Sequence, residues 1–218
     1  MGAAQTLELP PGIPATNSQT ESKLLRALQQ CSDAEKRIDL LWTLSQFYFY
    51  QAKRNDLATA LLNSVSNKHS GNEQRAVFHL ALGQIAQSEK QWDVALEHYA
   101  IGLSRSPRQP RTLYLLYNNS GYCQNMMGFH AEAKEYCRLA IAADSNQHDA
   151  YKNLAWALKH QGDFKGAAWS LIEAMKLKPS NRDIARLLKE LLTDHPELSL
   201  QCPWIMQELD AAATYTEN

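Results

Sequence analysis

One internal repeat constrains this chain more than any other feature of its sequence. Residues 117–121 (Tyr-Asn-Asn-Ser-Gly) and residues 151–155 (Tyr-Lys-Asn-Leu-Ala) share a pattern of residue types, and the similarity continues downstream. Each segment has an aromatic residue, a small residue four positions later, a glycine, and two alanines seven positions apart. The matched pairs downstream are Gly128 and Gly162, Ala133 and Ala167, Ala140 and Ala174, and Ser145 and Pro179. The two segments lie 34 residues apart, and a period of this length indicates stacked supersecondary units.

The residue types inside each unit favour two antiparallel helices. Two helices approach closely only where small residues face each other, because larger side chains would overpack the contact. The facing residues are expected to be Gly121 and Ala133 in one unit and Ala155 and Ala167 in the next. Pro179 cannot continue the second helix, since it lacks the backbone N–H and clashes with the preceding turn.

This pattern resembles the tetratricopeptide repeat, whose signature W-x2-L-G-x2-Y, then A-x3-F, then P, recurs with a period of about 34 residues. We place copies at 41–74, 76–109, 114–147 and 148–181, within a repeat domain that covers residues 21–195. The resemblance implies an all-α fold, a right-handed superhelical solenoid of antiparallel helix pairs with capping helices. Four extra residues, Gln109–Thr112, are expected to lengthen the link between the second and third copies. The copy at 148–181 matches the signature best, at Tyr151, Leu154, Ala155, Leu158, Gly162, Phe164, Ala167, Leu171, Ala174 and Pro179.

The two ends of the chain are predicted separately. Residues 1–20 contain three prolines and are expected to form a flexible tail, followed by a short leading helix after Ser22. A capping helix is predicted at 182–193, with Ser180 or Asn181 as its N-cap and an apolar stripe that packs on the last repeat. Residues 196–218 are expected to form a short helix from Trp204 and a tail. The apolar stripe of the capping helix at 182–193 consists of Ile184, Leu187, Leu188, Leu191 and Leu192.

The concave side of such a solenoid is the candidate binding surface. The first helix of each pair lines it, and in the family positions 2, 5, 6, 9, 12 and 13 of the repeat face the groove. Asn119 and Asn153 share the sixth position, so they are expected to form a ladder of amides that can both donate to and accept from a peptide backbone. This looks like the asparagine ladder of the O-GlcNAc transferases. The candidate peptide-binding residues are Asn118, Asn119, Tyr122, Lys152, Asn153, Trp156 and Lys159.

Plainer interpretations stand beside this one. The asparagines could merely tolerate solvent. Tyr122 and Trp156, at the ninth position of their repeats, could be covered by the N-terminal tail or by a second copy of the chain. A clamp for acidic C-termini, as in co-chaperone repeats, requires lysine and arginine where this sequence has Asp149 and Asn153, so it is not expected. Four other aromatic residues are expected in the core because they lie at helical spacing on faces that the repeat buries, namely Trp92, Tyr99, Phe164 and Trp169.

Composition narrows the class of function. Twenty-two Lys and Arg residues against 23 Asp and Glu residues leave a net charge of -1, which disfavours a nucleic-acid or anionic-membrane partner. We find no signal-peptide pattern and no apolar run of membrane-spanning length, so a cytoplasmic location is expected. The histidines and cysteines lack metal-ligand spacing, and the sequence has no phosphate loop or nucleophile motif. We therefore expect no metal, no cofactor and no enzymatic activity.

Two hypotheses of function follow. The first is a protein-interaction scaffold that binds a peptide or a partner segment in the concave groove, with the lysines favouring acidic residues. The alternative is a self-assembly module, in which a neighbouring chain or the protein's own terminus fills the groove and the chain is a homo-oligomer. The identity of the partner does not follow from the fold.

Overall fold

The computed structural model of the protein describes residues 18–66 and 71–215. Within these ranges the chain is all-α, as predicted. Its helices are α1 (Gln19–Gln30), α2 (Ala34–Gln46, continued by a π-helical turn at Phe47–Gln51), α3 (Asn55–Ser66), α4 (Asn72–Ser88), α5 (Trp92–Ser104), α6 (Pro110–Met126), α7 (His130–Ala143), α8 (His148–His160), α9 (Phe164–Leu177), α10 (Arg182–Asp194), α11 (Glu197–Gln201) and α12 (Pro203–Tyr215).

The helices stack in consecutive pairs. The pairs are α2 with α3, α4 with α5, α6 with α7, and α8 with α9, and each pair also packs against the next one along the chain. At one end α1 packs on α2, and at the other end α10 and α12 both pack on α9. The fold is therefore a solenoid of helix pairs with a helix-built cap at each described end.

Side-chain caps fix where several helices begin. Asp33 accepts hydrogen bonds from the backbone N–H groups of residues 35 and 36 at the start of α2, and Asp163 accepts from the N–H of Gly166 in α9. Asn181 accepts from the N–H of Asp183, so it is the N-cap of α10, one of the two residues proposed for that role. These contacts satisfy backbone donors that the first helical turn leaves without partners.

The expectation that Gln109–Thr112 lengthens a link was wrong. Gln109 is the N-cap of α6 and Pro110 is its first residue, so these residues form an extra first turn of the helix. Proline is well suited to this position, because its missing N–H has no intrahelical partner there and its φ angle is already helical. The insertion therefore extends α6 rather than the connection before it.

The third helix pair meets at its closest point where the repeat predicts small residues. A Cβ atom built on Gly121 would lie 2.8 Å from Cys137 Sγ and 3.3 Å from the carbonyl oxygen of Ala133. Real side chains do not tolerate the first of these distances, so α6 and α7 can approach this closely only with glycine at this position. Gly162, in the turn between α8 and α9, has a φ angle of 80°, which favours glycine for a different reason.

The predicted core aromatics divide into two groups. Tyr99 is fully buried, and Trp92 and Phe164 are half-buried against core residues. The prediction for Trp169 was wrong, because 47% of this residue is exposed. Its neighbour Ser170 is fully buried instead, so the inward face of α9 passes through Ser170, and the Trp169 ring only covers the edge of Tyr151 at a centroid distance of 6.1 Å.

The ends of the solenoid are covered by helices. Glu21 of α1 is buried and accepts a hydrogen bond from the hydroxyl of Tyr48 at 2.7 Å. On α10, Ile184, Leu188 and Leu191 are buried in the core that α8, α9 and the C-terminal helices share. The last helix, α12, begins at Pro203, one residue before the predicted start at Trp204. The short helix α11 before it was not predicted. Of the predicted N-terminal tail, residues 1–17 lie outside the described part of the chain.

Candidate functional site

Two neighbouring asparagines of α6 take part in joining the third and fourth helix pairs. Asn153 of α8 donates a hydrogen bond from Nδ2 to Asn118 Oδ1 at 3.0 Å, and Asn118 Nδ2 donates to Asn119 Oδ1 at 3.3 Å. The Tyr99 hydroxyl donates to Gln87 Oε1 at 2.8 Å, and the nearby Asn119 amide partly offsets the rise in the pKa of Tyr99 that burial causes. The three asparagines are no more than 9% exposed. Because a buried amide without a partner costs free energy, these contacts account for asparagine inside the helices.

A second amide contact joins α6 to α8. Asn125 Nδ2 donates to the backbone carbonyl of Asn153 at 2.9 Å, and Asn125 Oδ1 lies 3.0 Å from His130 Nδ1. Since the amide oxygen can only accept, the proton of His130 resides on Nδ1. Burial, followed by the neighbouring His160, holds the pKa of His130 below its ordinary value. The junction between α6 and α8 is thus closed by a set of neutral hydrogen bonds.

An open slot lies one junction further along, between α8 and α10. Its volume is about 570 Å³. Its floor is formed by Ala167 and Leu171 of α9, which are buried. The wall on the α8 side consists of Lys152, Asn153, Ala155, Trp156, Lys159 and His160, with Tyr122 of α6 beside them. The wall on the α10 side consists of Asp183, Arg186, Leu187 and Leu191. We call this space the slot.

Two contacts tether α8 and α10 at opposite ends of the slot. Where the helices begin, the Asn181 amide nitrogen approaches His148 Nε2 to 3.4 Å. Where they end, Lys159 Nζ pairs with Asp194 Oδ2 at 3.2 Å. Between these contacts the two helices hardly touch, whereas α6 packs directly against both α4 and α8. The slot is therefore a gap between two helices that share the core beneath it and meet through side chains at its two ends.

A row of aromatic rings leads into the slot. The rings of Tyr122 and Trp156 meet edge to face, with centroids 6.2 Å apart and planes at 73°. Trp92 contacts Tyr122 from the other side in the same way, at 6.0 Å and 74°. All three side chains are half-buried, so each keeps part of its ring at the surface. Edge-to-face contacts of this kind hold the rings in place, which leaves Trp156 as a fixed apolar wall.

Comparison with known proteins identifies the fold. No family model matches the chain, and no curated protein matches it. Among solved structures, MamA residues 41 to the end from Desulfovibrio magneticus RS-1 is 15% identical with a TM-score of 0.63, over 80% of this chain and 96% of that one. The Arabidopsis OM64 TPR domain is 22% identical with a TM-score of 0.52, over 56% of this chain and 97% of that one. The first TPR of Spaghetti (RPAP3), bound to the HSP90 peptide SRMEEVD, is 20% identical with a TM-score of 0.52, over 56% of this chain and 94% of that one.

The chain has the tetratricopeptide-repeat fold. In this fold α4, α6 and α8 are the first helices of their pairs, and α10 continues their row at the C-terminal end. The slot therefore lies between the first helix of the last pair and the helix that caps it.

The cations of the slot already have acidic partners. Lys152 Nζ pairs with Asp149 at 3.2 Å, and Lys159 pairs with Asp194. Arg186 Nη1 pairs with Glu190 at 2.7 Å, and its Nη2 lies 3.6 Å from the carboxylate of Asp183. Because the pairs are largely exposed, each contributes little to stability. An incoming carboxylate would meet cations that are already paired, so it would gain little from them.

The structure brings together five of the seven sequence-predicted site residues. Tyr122, Lys152, Asn153, Trp156 and Lys159 all line the slot. Asn118 and Asn119 do not line it, and their amides are engaged with Asn153, Tyr99 and each other.

Sequence reasoning missed the α10 wall and the floor of the slot. Leu187 and Leu191 were predicted only as capping residues, and Ala167 and Leu171 only as packing residues of the last repeat. One signal pointed to the wall: Leu187 stands one repeat period after Asn153, so it occupies the sixth, groove-facing position of a repeat that α10 would begin. The weak match of α10 to the rest of the signature hid this correspondence.

The nucleophilic and metal-binding side chains elsewhere give no second site. Burial raises the pKa of the Cys123 and Cys137 thiols to about 12, so both are protonated at neutral pH and are poor nucleophiles. Among residues 18–66 and 71–215, no three His, Cys, Asp or Glu side chains converge as a metal ion would require. Within the same ranges, no helix combines the length and apolar character needed to cross a bilayer.

Proposed function

We propose that this protein is a non-enzymatic interaction module that holds a peptide or a segment of a partner protein against its concave surface, with the slot as the main binding site. The observation that carries the proposal is the slot itself. It is an open space of about 570 Å³ with a buried apolar floor, between helices tethered at both ends. A concave apolar site with a few fixed polar groups is the usual form of a binding site.

The side chains have distinct proposed roles. Trp156 and Tyr122 supply rigid apolar surface, which loses little conformational entropy on binding because the rings are already held edge to face. Asn153 is the one amide that lines the slot and can meet a polar group of the ligand. Lys152 and Lys159 form part of the α8 wall with their apolar stems.

Asn118 and Asn119 are proposed to act behind the binding surface. Their hydrogen bonds orient the Asn153 side chain and fix α8 relative to α6. This proposal replaces the ladder of two groove-facing amides with one amide that lines the slot and two supporting amides behind it. A change at Asn118 should thus alter stability more than ligand affinity.

Selection from a random peptide library tests the proposal. Phage displaying peptides long enough for about four helical turns are panned on the full-length protein. Clones are kept only if they also bind a Trp169→Ala variant, which changes an exposed ring outside the slot. We expect the retained clones to lose binding to Leu187→Glu, which places a carboxylate in the slot wall, and to Trp156→Ala. Circular dichroism of both variants confirms that they fold.

The alternative of self-assembly is resolved in the same experiment. Sedimentation of the wild-type protein is measured before panning, together with the Leu187→Glu variant. A wild-type dimer that Leu187→Glu converts to a monomer would assign the slot to a second copy of the chain. Retained clones that bind Leu187→Glu and Trp156→Ala as well as the wild type would overturn the proposal, as would a failure to enrich any clone.

A further inference from the structure

We infer that the segment bound in the slot is an amphipathic helix of about three turns that inserts an uncharged apolar face. This inference rests on the proposed function and specifies its ligand. Three properties of the slot support it: its length, the state of its hydrogen-bonding groups and the arrangement of its charges.

The tethers at the two ends limit the length of the ligand. Lys159 at one tether lies eleven positions after His148 at the other along α8. At a rise of about 1.5 Å per residue the slot is roughly 16 Å long, which equals about three turns of a helix lying alongside α8. A longer segment would have to leave the slot at the tethers and would gain no further apolar contact there.

The hydrogen-bonding groups of the slot favour a helix over an extended peptide. The backbone groups of α8 and α10 are used within the helices, so the slot has no strand edge to offer. Among the polar side chains, Asn153 Nδ2 donates to Asn118, while Lys152 and Arg186 are paired with carboxylates. An extended segment would bury N–H and C=O groups without partners, whereas a helix satisfies its own.

The charges of the slot select an uncharged face. Every lysine and arginine in the walls has an acidic partner within 3.2 Å. An acidic peptide tail would meet no free cation and would be repelled by the carboxylates of Asp149, Asp183 and Asp194. Apolar residues spaced i, i+3 or i+4, and i+7 on a helix can reach the floor between Trp156 and Leu187 while the polar face stays in water.

The peptides selected on the full-length protein test this inference directly. We expect slot-dependent clones to share apolar residues at i, i+3 or i+4, and i+7, without proline inside that span and without a run of acidic residues. Synthetic versions of two clones are then titrated by fluorescence anisotropy. Proline placed on the polar face in the middle of the span should weaken binding by about a hundredfold, because it breaks the helix.

A matched control separates helix breaking from any other effect of proline. The same substitution at a polar-face residue in the first turn of the helix should change affinity by no more than about threefold, since proline is tolerated in the first helical turn. Equal tolerance of proline at both positions would show an extended ligand and overturn this inference, as would enrichment of acidic C-terminal motifs. In both of those outcomes the loss of binding to Leu187→Glu would still stand, so the proposed function would survive.

Discussion

Replacing Asn118 with alanine separates the structural role of the asparagines from a role in binding. Asn118 accepts from Asn153 Nδ2 at 3.0 Å and donates to Asn119 Oδ1 at 3.3 Å, and it is only 8% exposed. The substitution therefore removes two hydrogen bonds and leaves the amide of Asn153 without its acceptor. No side chain that lines the slot is removed.

The expected loss of stability follows from these contacts. Each hydrogen bond contributes about 0.5–1.5 kcal/mol, and the longer bond, to Asn119, belongs at the lower end of that range. Alanine recovers roughly 0.5 kcal/mol, because asparagine has a lower helix propensity. The net decrease in the free energy of unfolding should be about 0.5–1.5 kcal/mol. In a double-mutant cycle with Asn153→Ala, the coupling energy should be about 1 kcal/mol, since either single change breaks the shared bond.

Urea unfolding followed by circular dichroism measures both quantities on the full-length protein. A control cycle pairs Asn118→Ala with Asn181→Ala, which removes the N-cap of α10 and shares no hydrogen-bond partner with Asn118. That cycle should be additive within about 0.5 kcal/mol. If Asn118 and Asn153 were equally additive, or if Asn118→Ala left stability unchanged, the contact would have no structural role and the reasoning given for the buried asparagines would be refuted.

Three further predictions concern the packing and titration of the helix pairs. Burial, and next the facing His98, lower the pKa of His79 from 6.5 to about 4, so protonation of this side chain opposes folding. The free energy of unfolding should therefore fall by about 2 kcal/mol between about pH 7.5 and about pH 5. His79→Gln should remove most of this fall, measured as the urea midpoint at each pH. Gly121→Ala should cost about 1 kcal/mol net, because overpacking exceeds the gain in helix propensity. In a Cys137→Ala background most of this cost should be lost, with only the 3.3 Å approach to the Ala133 carbonyl oxygen remaining; an unchanged cost there would contradict the 2.8 Å contact. Trp169→Ala should lower the free energy of unfolding by less than about 1 kcal/mol, far below the roughly 3–5 kcal/mol typical of a buried aromatic ring, and a larger loss would place the ring in the core.

The parts of the fold that sequence reasoning predicted well are those that one repeat determines alone. The small residue at Gly121 is required by Cys137 and Ala133 of the same helix pair, so its reason is contained within a single copy of the repeat. The same holds for the turn at Gly162. A comparison of two copies of the repeat is enough to recognise both, because each copy presents the same local requirement.

The site was predicted less well because it depends on contacts between repeats. Asn119 is at a groove-facing position by repeat numbering, yet it is buried, because Asn118 and the Tyr99 hydroxyl both reach it. Which of two neighbouring polar side chains bonds across a junction depends on distances of tenths of an ångström. Trp169 shows the opposite error. Its helical spacing predicted that it would face the core, whereas in the structure the next residue, Ser170, faces the core and Trp169 is 47% exposed.

The position of the slot follows from a change of residue type at equivalent places in successive junctions. Between α6 and α8, Asn118 and Asn153 are short enough to bond directly, and the helices pack together. One repeat period later the same two places hold Lys152 and Leu187. A lysine cannot donate to a leucine, and it turns instead to Asp149 on its own helix. At these two places no hydrogen bond joins α8 to α10, although the tethers at the two ends remain, and Leu187 is left half-buried beside an open space. The slot exists because the amide contact of one junction is not repeated in the next, which connects the asparagine pair in the sequence to the place where a ligand can bind.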